Sequence, residues 1–410
     1  MDVWPALPLI IMCDYSYPNE SPDNVIAGLE RSDRVDQIIL INARTWRTRS
    51  LSSDLEMLFS AMQRPFPKLR HVMLSLHGEP VAAVPDSFLG GSAPRLEYLE
   101  LIFIPFPALP KLLFSATHLV VLCLEDIPHS GYFQPDEMVT ALSTLTSLKR
   151  LTLKFQFPRS CPDLESRRPP PSTRSVLPVL TFFSFKGVTE YLEDLVACIN
   201  TPQLNALDII FFNDFIFNAP HLIKFTGRTP ALRTLKKAHI HFGEDAASID
   251  LSSQTFGYDS YELKLMILCR GLDWQVSSLN QACTSCLHLL SMMEDLYIYY
   301  RPSYPREDWT YNIENGLWLE ILHQFTGVKN LYLSKKVASH TAPALQELIE
   351  GRTTEVLPAL QNIFLEGFES SGVREEGIGL FVAARQVASH PIAVSRWANS
   401  KENKVRLYRD

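Results

Sequence analysis

Leu96-Glu97-Tyr98-Leu99-Glu100-Leu101 packs three leucines into six positions, with gaps of two residues and then one. Residues two apart fall on one side of an extended chain, so Leu99 and Leu101 share a face and Leu96 leads into it. The same phrase stands upstream as Val35-Ile38-Leu40 and Leu69-Val72-Leu74. Downstream it reads Leu119-Leu122-Leu124, Leu148-Leu151-Leu153, Leu180-Phe183-Phe185 and Leu204-Leu207-Ile209. Late copies are Met293-Leu296-Ile298, Val328-Leu331-Leu333 and Leu360-Ile363-Leu365. A recurrence at a few tens of residues marks a stacked repeat, because one such unit cannot bury its apolar side alone.

The phrase resembles the strand segment of a leucine-rich repeat, L-x-x-L-x-L. A proline often precedes it: Phe66-Pro67, Ala93-Pro94, Leu177-Pro178, Thr201-Pro202, Thr229-Pro230 and Leu357-Pro358. Proline lacks an N–H and restricts its predecessor, which suits the lead-in to a strand. From Val35 to a degenerate copy counted from Leu232 and running to Ala238-His239-Ile240, the steps vary between 23 and 34 residues. Leu263–Leu268 is strand-like and fills the long gap before Met293, giving roughly eleven or twelve units.

Helical signals fall between the phrases. Ser53 or Asp54 caps a segment through Gln63 with Leu55, Leu58 and Met62 on one face; Asp136–Leu145 and Thr189–Ile199 show the same spacing. Ser277–Met292, Glu314–Phe325, Ala342–Ile349 and Gly377–Ala388 follow. The expected fold is therefore α/β: a leucine-rich-repeat-like solenoid, with a curved, mainly parallel sheet and helices and loops on the convex side.

A chain of 410 residues would ordinarily divide into domains, but a solenoid escapes that limit because each unit packs only on its neighbours. The expectation is one solenoid over 1–410, with an edge strand at Val3–Cys13 and a frayed tail over 395–410. Arg159–Ser175, Gly243–Tyr261 and Arg301–Asn315, the last with Tyr304, Trp309 and Tyr311, read as loops. Hydrophobic residues make up 46%, enough for a few tens of buried side chains. Each is worth about 1.5–3 kcal/mol before conformational entropy is subtracted. Seven irregularly spaced cysteines read as reduced thiols, which suits the cytoplasm or the nucleus. Trp4–Cys13 is short and lacks a basic flank, so it makes a poor signal peptide, and the sequon Asn19-Glu20-Ser21 is set aside with it.

Motifs that carry chemistry are sparse. No H-E-x-x-H, P-loop, G-x-G-x-x-G or G-x-S-x-G is present. Cys283-Thr-Ser-Cys286 has metal-type spacing without a second pair and reads as helix packing. His239 and His241 share a strand face but lack a third ligand. Asp208 and the pair Glu375-Glu376 read as solvated charge. Arg233, Lys236 and Lys237 could touch phosphate, but a net charge of -7 and the lack of a basic stripe favour a solvated edge. No cofactor or metal is implied.

Six passages resemble one fungal family, the C-terminal repeat regions of basidiomycete F-box proteins. They are Trp4-Pro-Ala-Leu-Pro-Leu, Asp33-Arg-Val-Asp, Phe88-Leu-Gly-Gly-Ser-Ala-Pro94, Glu190-Tyr-Leu-Glu-Asp-Leu-Val196, Asp273-Trp-Gln-Val-Ser277 and Leu322-His-Gln-Phe325. They span most of the chain and are scaffold phrases, not catalytic motifs. In that family an F-box docks the adaptor of a cullin-RING ubiquitin ligase and the repeats present substrate. No F-box is recognisable in this chain, so the adaptor is expected as a partner only if an F-box lies upstream.

The reading is a non-enzymatic scaffold that binds an unknown protein ligand, resembling ubiquitin-ligase substrate receptors. Candidate residues on the concave face are Arg150, Thr152, Lys154, Ser184, Lys186, Asp208, Asp295, Tyr297, Tyr299, Tyr332 and Glu366; the bland alternative is that they solvate the sheet. The second reading is an enzyme with a pocket in the insertions near Asp308 or Asp259. The third, a nucleic-acid binder, is disfavoured by charge, and no run is long enough to span a membrane.

Overall fold

The structure is a computed structural model describing residues 7–14, 22–42, 51–76, 83–156, 174–212, 219–253, 261–286, 288–300, 313–349, 352–366 and 376–397. The chain forms two compact units. Unit 1 comprises Met1–Phe212 and Arg228–Pro230; unit 2 comprises Asn213–Gly227 and Ala231–Asp410.

Unit 1 runs β1 (Leu9–Asp14), α1 (Pro22–Leu29), β2 (Val35–Asn42), α2 (Leu51–Ala61), β3 (His71–Leu76), β4 (Tyr98–Ile102), α3 (Leu109–Leu113), β5 (Val121–Ile127), α4 (Pro135–Leu142), β6 (Arg150–Phe155), β7 (Ser175–Val176), β8 (Phe182–Gly187), α5 (Thr189–Cys198), β9 (Ile199–Asn200) and β10 (Ala206–Phe212). Its main sheet has the order β1-β2-β3-β4-β5-β6-β8-β10, every adjacent pair parallel. The short β7 and β9 pair separately.

The register is the one the repeated phrase predicts. Ile38, Val72, Leu99, Leu122, Leu151, Phe183 and Leu207 are successive partners across seven strands, and so are Leu40, Leu74, Leu101, Leu124, Leu153, Phe185 and Ile209. All fourteen side chains are buried, so each strand adds one rung to two continuous apolar ladders. This is the leucine-rich-repeat-like arrangement, in which neighbouring units rather than one central core bury the apolar surface.

Five proline-preceded phrases share one lead-in turn. Leu69, Leu96, Leu180, Leu204 and Leu360 donate their N–H to the carbonyls of Phe66, Ala93, Leu177, Thr201 and Leu357, three residues back. The proline follows the accepting residue, the position where its fixed φ suits a β-turn. Its role is thus to set that turn rather than to begin the strand. The residues ahead of these five prolines are all buried. After the turn, one carbonyl accepts two consecutive N–H groups of the next repeat. Arg70 O accepts from Glu97 and Tyr98, Glu97 O from Val120 and Val121, and Lys149 O from Thr181 and Phe182.

Unit 2 runs α6 (Pro220–Arg228, whose last residue belongs to unit 1), β11 (Lys237–Phe242), β12 (Ala246–Ser252), β13 (Leu263–Leu268), α7 (Leu272–Cys286), β14 (Asp295–Tyr300), α8 (Asn315–His323), β15 (Asn330–Leu333), α9 (Lys335–Gln346), β16 (Asn362–Glu366), α10 (Glu376–Val387) and β17 (Ala393–Trp397). Its strand order is β13-β12-β11-β14-β15-β16-β17. Two ladders of the same kind run within this unit through Ala238, Leu296, Leu331 and Ile363, and through Ile240, Ile298, Leu333 and Leu365. Lys236 O, Glu294 O and Lys329 O repeat the double acceptance seen in unit 1.

Several expectations need correction. Gly243–Tyr261 is not all loop, since β12 lies within it and pairs antiparallel with both β11 and β13. Leu263–Leu268 is the third strand of this meander, not a repeat with its own phrase. Period-2 alternation in Ala247, Ile249 and Leu251 was masked by their small and polar neighbours. Leu232 sits in the 3₁₀ turn Pro230–Thr234, and Leu235 takes the lead-in position. The helix expected at Ser277–Met292 begins at Leu272 and ends at Cys286, with a separate 3₁₀ turn at His288–Met292. That expected at Ala342–Ile349 begins at Lys335 and continues through Pro343, which forgoes one intrahelical bond. Helices α1, α3 and α6 were not expected. The expected strand at Val3–Cys13 is Leu9–Asp14. Residues 1–6, 157–173, 301–312 and 398–410, which carry parts of other expected features, lie outside the described residues.

Scaffold roles account for several of the family-like phrases. In Phe88-Leu-Gly-Gly, Leu89, Gly90 and Gly91 all have positive φ, and a Cβ on Gly90 would lie 2.8 Å from the backbone of Pro65. Gln275 is buried at the start of α7 and donates to the carbonyls of Gly243 and Cys269. Arg228 donates to Val196 O and Ile199 O at the end of α5. Arg385, fully buried, donates to carbonyls of Thr353, Leu357, Pro358 and Leu360 in the lead-in to β16.

Candidate functional site

Alternate strand residues place one side chain in the ladder and the next on the opposite, open face of the sheet. All eleven candidate residues lie on strands, at these alternate positions. The two units use the face differently.

In unit 1 the face changes along the sheet: Met12, Ile39 and Met73 make an apolar start, and from Glu100 onward it is polar and largely paired within itself. One row runs Glu100, Cys123, Thr152, Ser184 and Asp208. Thr152 is 4% exposed and Ser184 1%, and Ser184 Oγ donates to Asp208 Oδ2 at 3.1 Å, so these candidates serve one another. Lys154 Nζ lies 3.1 Å from Glu125, and Lys186 Nζ 3.1 Å from Asp126. Arg150 is exposed and stacks over Phe182 at 4.0 Å. Further along the face His71 stacks on Tyr98 at 4.1 Å, and the Tyr98 hydroxyl donates to Glu100. Burial, then the carboxylates of Glu125 and Glu100, push the Cys123 thiol up to about 12, which leaves it protonated and a poor nucleophile. Burial lowers His71, which keeps its ring neutral against Tyr98.

In unit 2 the same face is aromatic. His239, Tyr297, Tyr332 and Phe364 occupy one register row. Their rings stack in order with centroids 4.4, 4.1 and 4.4 Å apart and planes within 3°, 9° and 8° of parallel. One position further on, His241 stacks on Tyr299 at 5.0 Å, and the Tyr299 hydroxyl lies 3.3 Å from His239 Nδ1. Trp397, at the end of β17, leans across this array with its centroid 6.0, 5.5 and 5.6 Å from Tyr297, Tyr299 and Tyr332. Tyr299 is left 3% exposed. Burial raises the Tyr297 and Tyr332 hydroxyls, so both stay neutral at physiological pH.

A polar row flanks the rings on the other side. Asn362 Nδ2 donates to Asn330 Oδ1 at 2.8 Å, Asn330 Nδ2 to Asp295 Oδ1 at 2.7 Å, and Lys237 Nζ lies 3.4 Å from Asp295 Oδ2. Glu366 accepts from the Lys335 N–H, and His241 Nε2 lies 3.6 Å from Asp250. Charge on this face is therefore largely consumed by neighbours, while every ring of the array except Tyr299 remains partly exposed.

The candidate list thus gathers into two clusters, Arg150 to Asp208 in unit 1 and Asp295 to Glu366 in unit 2. Sequence reading missed Phe364 and Trp397 and treated His239 and His241 as ordinary. For His239, His241 and Phe364 the signal that would have found them is register, since each stands next to a ladder position; Trp397 carries no such signal, because Val394 and Arg396 break the ladder pattern. Arg233 donates to Gly227 O, Lys236 pairs with Glu294, and Lys237 belongs to the polar row, so they make no separate anion site. Cys283 is buried in α7, and among the described residues no three His, Cys, Asp or Glu side chains are grouped to hold a metal ion. Asp259, Asp308 and Glu375 lie outside the described residues. Among the described residues, no helix is long and apolar enough to cross a membrane.

No family model matches this chain, and no curated protein matches it. Among solved structures, it is similar to the leucine-rich repeat-containing protein LegL7 from Legionella pneumophila, at 13% identity over 92% of this chain and 97% of that one, with a TM-score of 0.29.

Proposed function

We propose that this chain is a non-enzymatic, protein-binding repeat scaffold and that its contact surface is the aromatic face of unit 2. The observation that carries this is the aligned row His239, Tyr297, Tyr332 and Phe364, with Tyr299 and Trp397 beside it. Aromatic side chains held rigid by stacking lose little entropy on binding and recur as interface anchors. The pairing of charge on both faces supports a partner held by apolar and aromatic contact rather than by long-range attraction. The protonated Cys123 thiol weighs against covalent chemistry on the unit 1 face.

Panning a displayed random-peptide library on the full chain tests the reading. Enriched clones should be rich in aromatic residues. They should lose about tenfold or more in affinity on Tyr297→Ala or Tyr332→Ala and be unchanged by Lys154→Ala. Clones indifferent to both tyrosines would overturn it. The finer reading, a cytoplasmic or nuclear substrate receptor of a cullin-RING ligase, is supported by the phrases shared with basidiomycete F-box proteins. It predicts an in-frame F-box immediately upstream of Met1 in the genome.

A further inference from the structure

β17 is an edge strand that contributes almost nothing to the core. It pairs in parallel with β16 from Asn362↔Ala393 to Glu366↔Trp397. Its partners in the apolar ladders are Ile363 and Leu365, both buried, yet its own residues at those positions are Val394 and Arg396, both exposed. Ile392, just before the strand, is the last buried apolar side chain among the described residues. What β17 does contribute is Trp397, whose indole crosses over β16 and β15 to lie on Tyr297, Tyr299 and Tyr332. Among the described residues, the strand is thus held mainly by its backbone bonds to β16 and by the Trp397 ring. Such elements open at low free-energy cost because few buried contacts are lost.

We propose that β17 is a displaceable strap and that Trp397 is an internal stand-in for the ligand. The site beneath it takes an extended segment of a partner protein that pairs along the edge of β16 and lays an aromatic side chain on Tyr297, Tyr299 and Tyr332. The chain supplies the argument for this chemistry itself, since the occupant it now holds there is a parallel strand ending in an indole. Strand addition gives such a partner its affinity through main-chain hydrogen bonds, and the ring gives it specificity. The inference rests on the aromatic face of unit 2 being the contact surface and specifies what that surface selects.

The test uses the full chain and a fluorescent synthetic peptide with the sequence of residues 391–397. Trp397→Ala weakens the internal strap without touching the tyrosines, so it should bind the peptide at least tenfold more tightly than the native chain, read by anisotropy. Adding Tyr332→Ala to that variant, or replacing the tryptophan of the peptide with alanine, should abolish the gain. In the native chain without peptide, amide exchange should be faster in β17 than in β16. The proposal is overturned if Trp397→Ala binds no more tightly than the native chain, or if β17 amides are as protected as those of β16. Library clones that still require Tyr297 and Tyr332 would then show that the aromatic face stands and only the strap is wrong.

Discussion

Units 1 and 2, each taken by itself, have the same pattern on the buried side of the sheet and different side chains on the open side. Each has a pair of apolar ladders and carbonyls that accept two consecutive N–H groups at strand lead-ins. On the open side, the middle row of unit 1 begins with Met12, Ile39 and Met73 and from β4 to β10 reads Glu100, Cys123, Thr152, Ser184 and Asp208, whereas that of unit 2 reads His239, Tyr297, Tyr332 and Phe364 from β11 to β16. Folding places few demands on these variable positions once the ladders are filled. Their divergence is therefore where the two units can differ in use. Unit 1 spends its polar groups on one another, whereas unit 2 presents rings.

The comparison breaks most completely if the ladders are not what supports both faces. Leu99→Asp and Leu331→Asp each put an uncompensated carboxylate at a fully buried position. Each should cost about 4 kcal/mol or more, enough to unfold the surrounding repeats. Glu100→Ala, one residue away on the open face, removes an acceptor for the Tyr98 hydroxyl and should cost about 0.5–1.5 kcal/mol. Equal melting temperatures for Leu99→Asp and Glu100→Ala would mean the assignment of faces is inverted.

A sharper contrast comes from row equivalents. Tyr332→Ala removes stacking on both Tyr297 and Phe364 and one contact with Trp397. It should lower stability by about 1–3 kcal/mol, with the loss confined by hydrogen exchange to β14–β17. The effect should be nearly independent of salt. Lys186→Ala in unit 1 leaves Asp126 without this cation in a half-buried pair, and should cost about 1 kcal/mol at low ionic strength and less at high. A Tyr332→Ala effect that shrank with salt, or a Lys186→Ala effect that did not, would erase the distinction between an aromatic and an ionic surface.

The ladders were legible in the sequence because the phrase has a strict spacing and large apolar residues. The interruption in unit 2 was not, because β12 is built from Ala247, Ile249 and Leu251 among serines and an aspartate, a weak alternating signal beside Gly243. Antiparallel pairing also leaves no mark in a repeat that is read by period. The candidate residues were legible as positions and illegible as a surface. Tyr297 and Tyr332 stand 35 residues apart, and only the register Tyr297↔Tyr332 makes them neighbours. Thr152 and Ser184 look equally available in sequence, yet they are buried. Trp397 lay in what read as a polar tail, since nothing in Ala393-Val-Ser-Arg-Trp397 follows the ladder pattern.

The smallest effect concerns the lead-ins, where the two units are most alike and differ only in how charge is arranged. In unit 1, Arg70 bridges to Asp36 at 2.7 Å as a single pair. In unit 2, Glu294 lies between Lys236 at 2.8 Å and Lys329 at 3.0 Å, tying the lead-ins of three consecutive parallel strands. Hydrogen bonds from Lys236 and then Lys329 hold the Glu294 carboxyl down to about 2 against an ordinary value of 4.5. A carboxylate depressed on folding adds stability that is complete above its unfolded value and disappears as pH falls through its folded one. The contribution of Glu294 should therefore be constant above pH 4.5, decline between there and about 2, and vanish below. Glu294→Gln should lower the midpoint of chemical denaturation slightly at neutral pH, and its difference from the native chain should close across that acidic window. Because the three side chains are about half exposed, added salt should shrink the difference at neutral pH as well. A gap that persisted at pH 2 would show that Glu294 acts through packing or backbone geometry, and that the two units differ at their lead-ins in more than charge.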